Sequence, residues 1–163
     1  MLITLISCSQ KATEEAPQTE TVTYPAELSY KGNPSIGDRN NVKTVMECNK
    51  RLTELNTDIG EFLADSVTMY LADGMEINGP KDSVLVLISD FITSLSGLKI
   101  DYVAAMPVNN DDLHHEWVFT WTEETYTYKD GKVEKRELHE DYRMEGGKIR
   151  EIFQYARSLP GAD

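Results

Sequence analysis

No apolar run in the chain approaches the roughly 18 residues that a membrane-spanning helix needs, so the sequence encodes no such helix. Cysteine is scarce, with two in 163 residues, which argues against a disulfide framework. Basic residues are also in short supply. Lys and Arg number 16 against 28 Asp and Glu, for a net charge of -12. Nucleic acids and anionic membrane surfaces need a basic face, so neither fits as a partner. No glycine-rich phosphate loop, nucleophile elbow or Cys-His pair occurs, and nucleotide chemistry and acyl transfer lack support. No cofactor is expected. What is present is ordinary: 40% apolar and 27% charged residues, enough for one domain with a core plus a tail.

The two cysteines read differently. Cys48 shares a helical face with Val45, Leu52, Leu55 and Ile59, and a small buried thiol is expected there. Cys8 closes the apolar run that begins at Met1. Leu5-Ile6-Ser7-Cys8 resembles the lipobox of bacterial lipoproteins. No Lys or Arg precedes the run, and the run is at the short limit for a signal segment, which departs from that pattern. The resemblance implies cleavage before Cys8, diacylation of the cysteine, and attachment to a membrane through acyl chains alone. It also implies a place in the cell envelope, facing the periplasm or the cell surface. Residues 1–8 are then a signal remnant. Residues 9–34 are rich in Thr, Glu, Pro, Ser and Gln and cannot offset their ordering entropy by burial, so they read as a tether. Within it, Tyr24, Leu28 and Tyr30 either dock locally or stay disordered. The folded domain is expected over 35–159, with 160–163 a short tail.

Pro34-Ser35 or Asp38 can start the first helix, and Asp38 is a good N-cap. Val42, Val45, Cys48, Leu52 and Leu55 keep helical spacing to about Asn56. Asp58 is expected to cap a short second helix over 59–64. Residues 66–72 alternate, with Val67, Met69 and Leu71 on one face of a strand. Asp73-Gly74 turns the chain into a short strand over 75–78. A helix follows from Lys81 to about Leu95, apolar nearly all round and expected to be deeply packed. A strand over 98–106 puts Ile100, Tyr102, Ala104 and Met106 on one side, and three long strands complete the chain.

The stretches "LADSVTMYLADGMEINGPKDSV" and "LHEDYRMEGGKIREIFQYAR", in this order, resemble the nuclear-transport-factor-2-like fold and its SnoaL-like members. With the lipobox they look like small envelope lipoproteins of that type. The resemblance covers about residues 38–157. It implies an α+β roll of the cystatin-like kind: a cone-shaped, curved, mixed β-sheet wrapped around about three helices from the N-terminal half. Such a fold leaves a conical cavity between sheet and helices. In SnoaL-like proteins a pocket Asp often stands at the position matching Glu140, just before the aromatic matching Tyr142.

The last third can be placed in register. Asp130-Gly131 and Gly146-Gly147 both read as two-residue hairpin turns. The first sets Trp117 opposite Met144, Phe119 opposite Tyr142 and Trp121 opposite Glu140. The second sets Met144 opposite Ile149, Glu140 opposite Phe153 and Leu138 opposite Tyr155. Paired residues share a face, so the aromatics converge with Glu140 in their midst. A three-residue loop with a bulge would flip this parity. On the two-residue reading, Tyr102, Trp121, Glu140, Tyr142, Phe153 and Tyr155 are the candidate ligand-binding residues. A carboxylate among aromatics is costly to ionise, so Glu140 is a functional acceptor or base, a structural group bonded to Tyr155 or a backbone amide, or a group facing water near the cavity mouth.

His115 lies at the far end of that face, and His139, Asp141 and Arg143 fall on the other. The three histidines are thereby dispersed, and no metal is expected. The outer face is either solvated or a homodimer contact. The expected function is a lipid-anchored protein whose cavity binds a small, largely apolar ligand or a partner. The alternatives are an isomerase- or cyclase-type enzyme with Glu140 as the catalytic general base, and an interaction module without an open cavity.

Overall fold

The computed structural model describes residues 25–27 and 34–159. Cys8, Tyr24, Leu28, Tyr30 and the tail 160–163 lie outside the described residues, as does most of the expected tether. Among the described residues the chain forms β1 (Pro34–Ile36), α1 (Arg39–Thr53), β2 (Leu63–Tyr70), β3 (Glu76–Pro80), α2 (Lys81–Ser94), β4 (Leu95–Asn110), β5 (His115–Tyr128), β6 (Val133–Glu145) and β7 (Lys148–Ser158). The strands build one sheet in the order β1-β4-β5-β6-β7-β2-β3. Every pairing is antiparallel except β2 with β7, so the sheet is mixed. The class is α+β, as expected.

α1 starts where Asp38 accepts a bond from the Asn40 amide at 2.8 Å. It buries Asn41, Val45, Cys48 and Asn49, one stripe at helical spacing. It ends earlier than expected. Leu55 takes a left-handed φ of 54°, and the Asn56 amide bonds back to the Arg51 carbonyl at 3.0 Å. The expected second helix over 59–64 is only a 3₁₀ turn, Gly60–Phe62, because Leu63 and Ala64 are already drawn, buried, into β2. Pro34 and Ser35, expected to lead into the helix, instead form β1 against Asn110 and Asn109.

α2 is not packed all round. Val84 and Ile92 are buried, while Val86, Leu87 and Phe91 are exposed. The core gathers Val45, Cys48, Ile59, Leu63, Val67, Val118, Tyr142, Met144 and Ile149 between α1 and the sheet.

The β5–β6 register differs from the expected one by a single residue. Tyr128 pairs with Lys132 through its amide at 2.8 Å, leaving a three-residue loop, with Gly131 at φ 90°. The Asp130 side chain accepts from the Lys132 amide at 2.9 Å and holds that turn. Glu140 therefore faces Thr120, and Tyr142 faces Val118. The β6–β7 turn is the expected two-residue one, with Gly146 and Gly147 at φ 57° and 75°. Met144 faces Ile149 as expected, but a bulge after it shifts the rest, and Glu140 faces Gln154 rather than Phe153. A one-residue slip moves every side chain to the other face. Trp117, Phe119, Trp121, Phe153 and Tyr155 therefore lie on the outer face. Val118, Thr120, Thr122, Glu124 and Tyr126 lie on the inner one.

Candidate functional site

The inner face of the sheet, α1, α2 and the β2–β3 turn enclose a pocket of about 540 Å³. Its walls are apolar, with Leu52, Met69, Ile88, Leu98, Ile149 and Ile152 prominent. Its mouth lies between α2 and the β2–β3 turn, where Met75, Leu87 and Phe91 line it and are 55%, 49% and 45% exposed. The volume is within the range of small-molecule sites, roughly 300–1,000 Å³.

Two buried carboxylates line this apolar space, Glu140 and Glu124. Each belongs to a Glu-x-Tyr sequence on a strand, so alternation puts the carboxylate and the hydroxyl on one face. Tyr142 donates to Glu140 Oε2 at 2.5 Å, and Gln154 donates to Oε1 at 3.0 Å. Tyr126 donates to Glu124 Oε2, and Thr122 donates to Oε1 at 3.2 Å. Asn49 of α1 donates to the Tyr102 hydroxyl at 2.8 Å and to the Tyr142 hydroxyl at 3.4 Å. Arg136 lies over the Tyr126 ring, 5.4 Å from its centroid, and bonds Glu134 at 2.6 Å.

Burial dominates the electrostatics. It raises the Glu140 carboxyl above the usual carboxylate range, against the bonds from Tyr142 and Gln154. Burial, then the Glu140 charge, pushes Glu124 up to about 7. Both groups favour the protonated form more than an exposed Glu does. Burial raises Tyr142 and Tyr126 as well, and the carboxylate charges reinforce it. Cys48 is pushed up to about 12 by burial and by Glu140, so its thiol is no nucleophile at neutral pH. The site can hold and pass a proton and can accept hydrogen bonds.

Of the sequence-predicted residues, Glu140 and Tyr142 are brought together here. Tyr102 lies in an adjoining groove between α1 and β4, joined to the pocket through Asn49, and burial raises it to about 12. Trp121, Phe153 and Tyr155 do not line the pocket. They belong to an outer aromatic layer. Trp121 stacks on His139 at 4.6 Å, Tyr70 stacks on Phe153 at 4.5 Å, and Tyr155 lies 6.0 Å from His139. His139 Nε2 lies 3.1 Å from Asp141 Oδ1 on that face. Among the described residues no three His, Cys, Asp or Glu side chains gather as a metal site. Sequence reasoning missed Glu124, Tyr126, Gln154 and Asn49. The repeated Glu-x-Tyr, at Glu124 and at Glu140, was the signal that could have found the first two.

No protein-family model and no curated protein matches the chain. Solved structures do. An epoxide hydrolase of the LEH-like type from M. tuberculosis superposes with a TM-score of 0.61 at 11% identity, covering 72% of this chain and 83% of that one. A predicted SnoaL-like polyketide cyclase from Jannaschia gives 0.59 at 11%, covering 73% and 86%. An NTF2-like protein of unknown function from Burkholderia pseudomallei gives 0.60 at 15%, covering 72% and 91%. At these identities the likeness is one of fold.

Proposed function

Because the chain has the nuclear-transport-factor-2-like fold, with an acid-bearing pocket at its centre, we propose that it binds a small, largely apolar molecule anchored at Glu140. One observation carries this reading: a buried carboxylate, oriented by Tyr142 and Gln154, on the wall of an apolar pocket that opens to solvent. A protein that needed only a core would gain stability by filling such a space and leaving out the charge. The uncharged probe N-phenyl-1-naphthylamine, which fluoresces in apolar sites, tests it. Saturable binding is expected, with a changed affinity for competing polar ligands in Glu140→Gln. A protein that leaves the probe dark in both forms contradicts the reading.

The geometry also supports proton transfer, since two carboxyls with raised pKa and two tyrosine hydroxyls meet one pocket. In that enzyme reading Glu140 is the general base of an isomerase or cyclase. Deuterium exchange next to the carbonyl of an added cyclic ketone, lost in Glu140→Gln, separates it from binding alone.

The place of action belongs to the same proposal. The lipobox-like Leu5-Ile6-Ser7-Cys8 supports acylation of Cys8 and tethering to a membrane of the cell envelope. Cys8→Ser is expected to move the protein from the membrane to the soluble fraction. Unchanged partitioning sinks the lipid anchor and leaves the pocket untouched.

A further inference from the structure

The hydrogen bonds of the pocket run in one direction. Tyr142, Gln154, Tyr126 and Thr122 all spend a donor on the two carboxylates. Asn49 spends its amide on the Tyr102 and Tyr142 hydroxyls. Each of the four carboxylate oxygens accepts one of these bonds. When the pair is ionised, as beside a bound cation, each carboxylate oxygen has two lone pairs and so keeps one. The polar end of the pocket is thus an acceptor end, and a ligand meets it best with donors.

Charge points the same way. Asp73, Glu124 and Glu140 line the pocket against a single cation, Arg136. Arg136 bonds Glu134 rather than either buried carboxylate. Two carboxyls placed in one apolar space repel each other, and a positive charge set between them relieves that repulsion. The net charge of -12 adds a long-range field that draws cations.

From this donor and charge balance we infer that the ligand is a protonated amine on an apolar body, its ammonium bonded at Glu140 with Glu124 on the same pocket wall, and its body against Leu52, Met69, Ile88, Ile149 and Ile152. This rests on the pocket being a binding site, as proposed above. An ammonium supplies up to three donors to the free lone pairs. A carboxylate ligand would add a third negative charge to the pair. An alcohol of the same shape would offer one donor and no charge. The apolar mouth at Met75, Leu87 and Phe91 suits the passage of such an amphiphile.

Three compounds of one shape test the inference: 1-adamantanamine, 1-adamantanol and 1-adamantanecarboxylate, each titrated calorimetrically into the full-length protein at low salt and pH 7.5. The amine is expected to bind at least about tenfold more tightly than the alcohol, with the carboxylate weakest. Glu140→Gln and Glu124→Gln are each expected to remove about tenfold of the amine's advantage while leaving the alcohol within roughly threefold. Because amine binding favours ionised carboxylates, it is also expected to release protons to the buffer. An alcohol or carboxylate that matches the amine in the wild-type protein overturns the inference, whether or not the variants fold. Binding of N-phenyl-1-naphthylamine with none of the three compounds competing overturns the amine but leaves the pocket. Failure of the naphthylamine and all three compounds removes both.

Discussion

Glu124 and Glu140 face each other's charge from neighbouring strands, and the groups around them set how the fold responds to pH. Glu124 meets Glu140, Tyr126, Thr122 and Arg136. Its carboxyl is raised to about 7 when folded, above the value near 4.5 of an unfolded chain. The folded state therefore holds a proton that the unfolded state releases between those values. A raised carboxyl contributes stability below the unfolded pKa and loses it as pH climbs through the folded one. Glu140 is shifted in the same direction and adds to the effect. Urea unfolding is expected to show stability falling from about pH 4.5 to about pH 7, with a shallower fall in Glu124→Gln. A Glu124→Gln profile parallel to the wild type would mean that the carboxyl is not raised.

At this scale much was legible. Glu140 was singled out from a register that set it between Trp121 and Phe153, and it stays on the inner face because alternation along β6 groups it with Leu138, Tyr142 and Met144 in either register. Its bonding partners could not be singled out. Gln154 and Asn49 reach the site only through the β6–β7 bulge and the helix stripe, and neither has a local sequence signature.

Two turns decide the faces of the last three strands, and they were not equally readable. Gly146-Gly147 allows positive φ at both central positions, and the two-residue turn follows. Asp130-Gly131 fits either a two-residue turn or the last two positions of a three-residue loop. The observed loop is the second kind, held by the Asp130 side chain on the Lys132 amide and by Gly131 at φ 90°. That one residue carried Trp117, Phe119 and Trp121 from the expected inner face to the outer face. No atom lies within 4 Å of a Cβ built on Gly131, so replacing it tests backbone strain alone. Gly131→Ala is expected to cost about 1–2 kcal/mol in chemical denaturation, with probe binding intact. An unchanged midpoint would show that the loop does not depend on the left-handed residue. α2 gives the same lesson from the other side. Its composition reads as buried all round, but a two-layer fold covers only one face of it, and the rest became the pocket mouth.

Across the whole molecule, the fold class was legible because element types and turns succeed each other along the chain in a recognisable order, whereas β1 and the parallel pairing of β2 with β7 carry no local signature. The pocket wall was not, because it depends on parity. The outer aromatic layer of Trp117, Phe119, Trp121, Phe153 and Tyr155 supports the proposal of a homodimer through that face. Tyr155 is 56% exposed and offers a test. Sedimentation is expected to show a dimer that Tyr155→Glu weakens, and a wild-type monomer at all concentrations contradicts it.

The central claim is that the space beside Glu140 is a binding site. Methyl NMR of the isoleucines during titration with N-phenyl-1-naphthylamine addresses it most directly. Ile88, Ile92, Ile100, Ile149 and Ile152 line the pocket, whereas Ile36 sits exposed on β1. The account predicts shifts at pocket methyls that saturate together while Ile36 stays still. Still pocket methyls, or shifts confined to methyls outside it, would contradict the account.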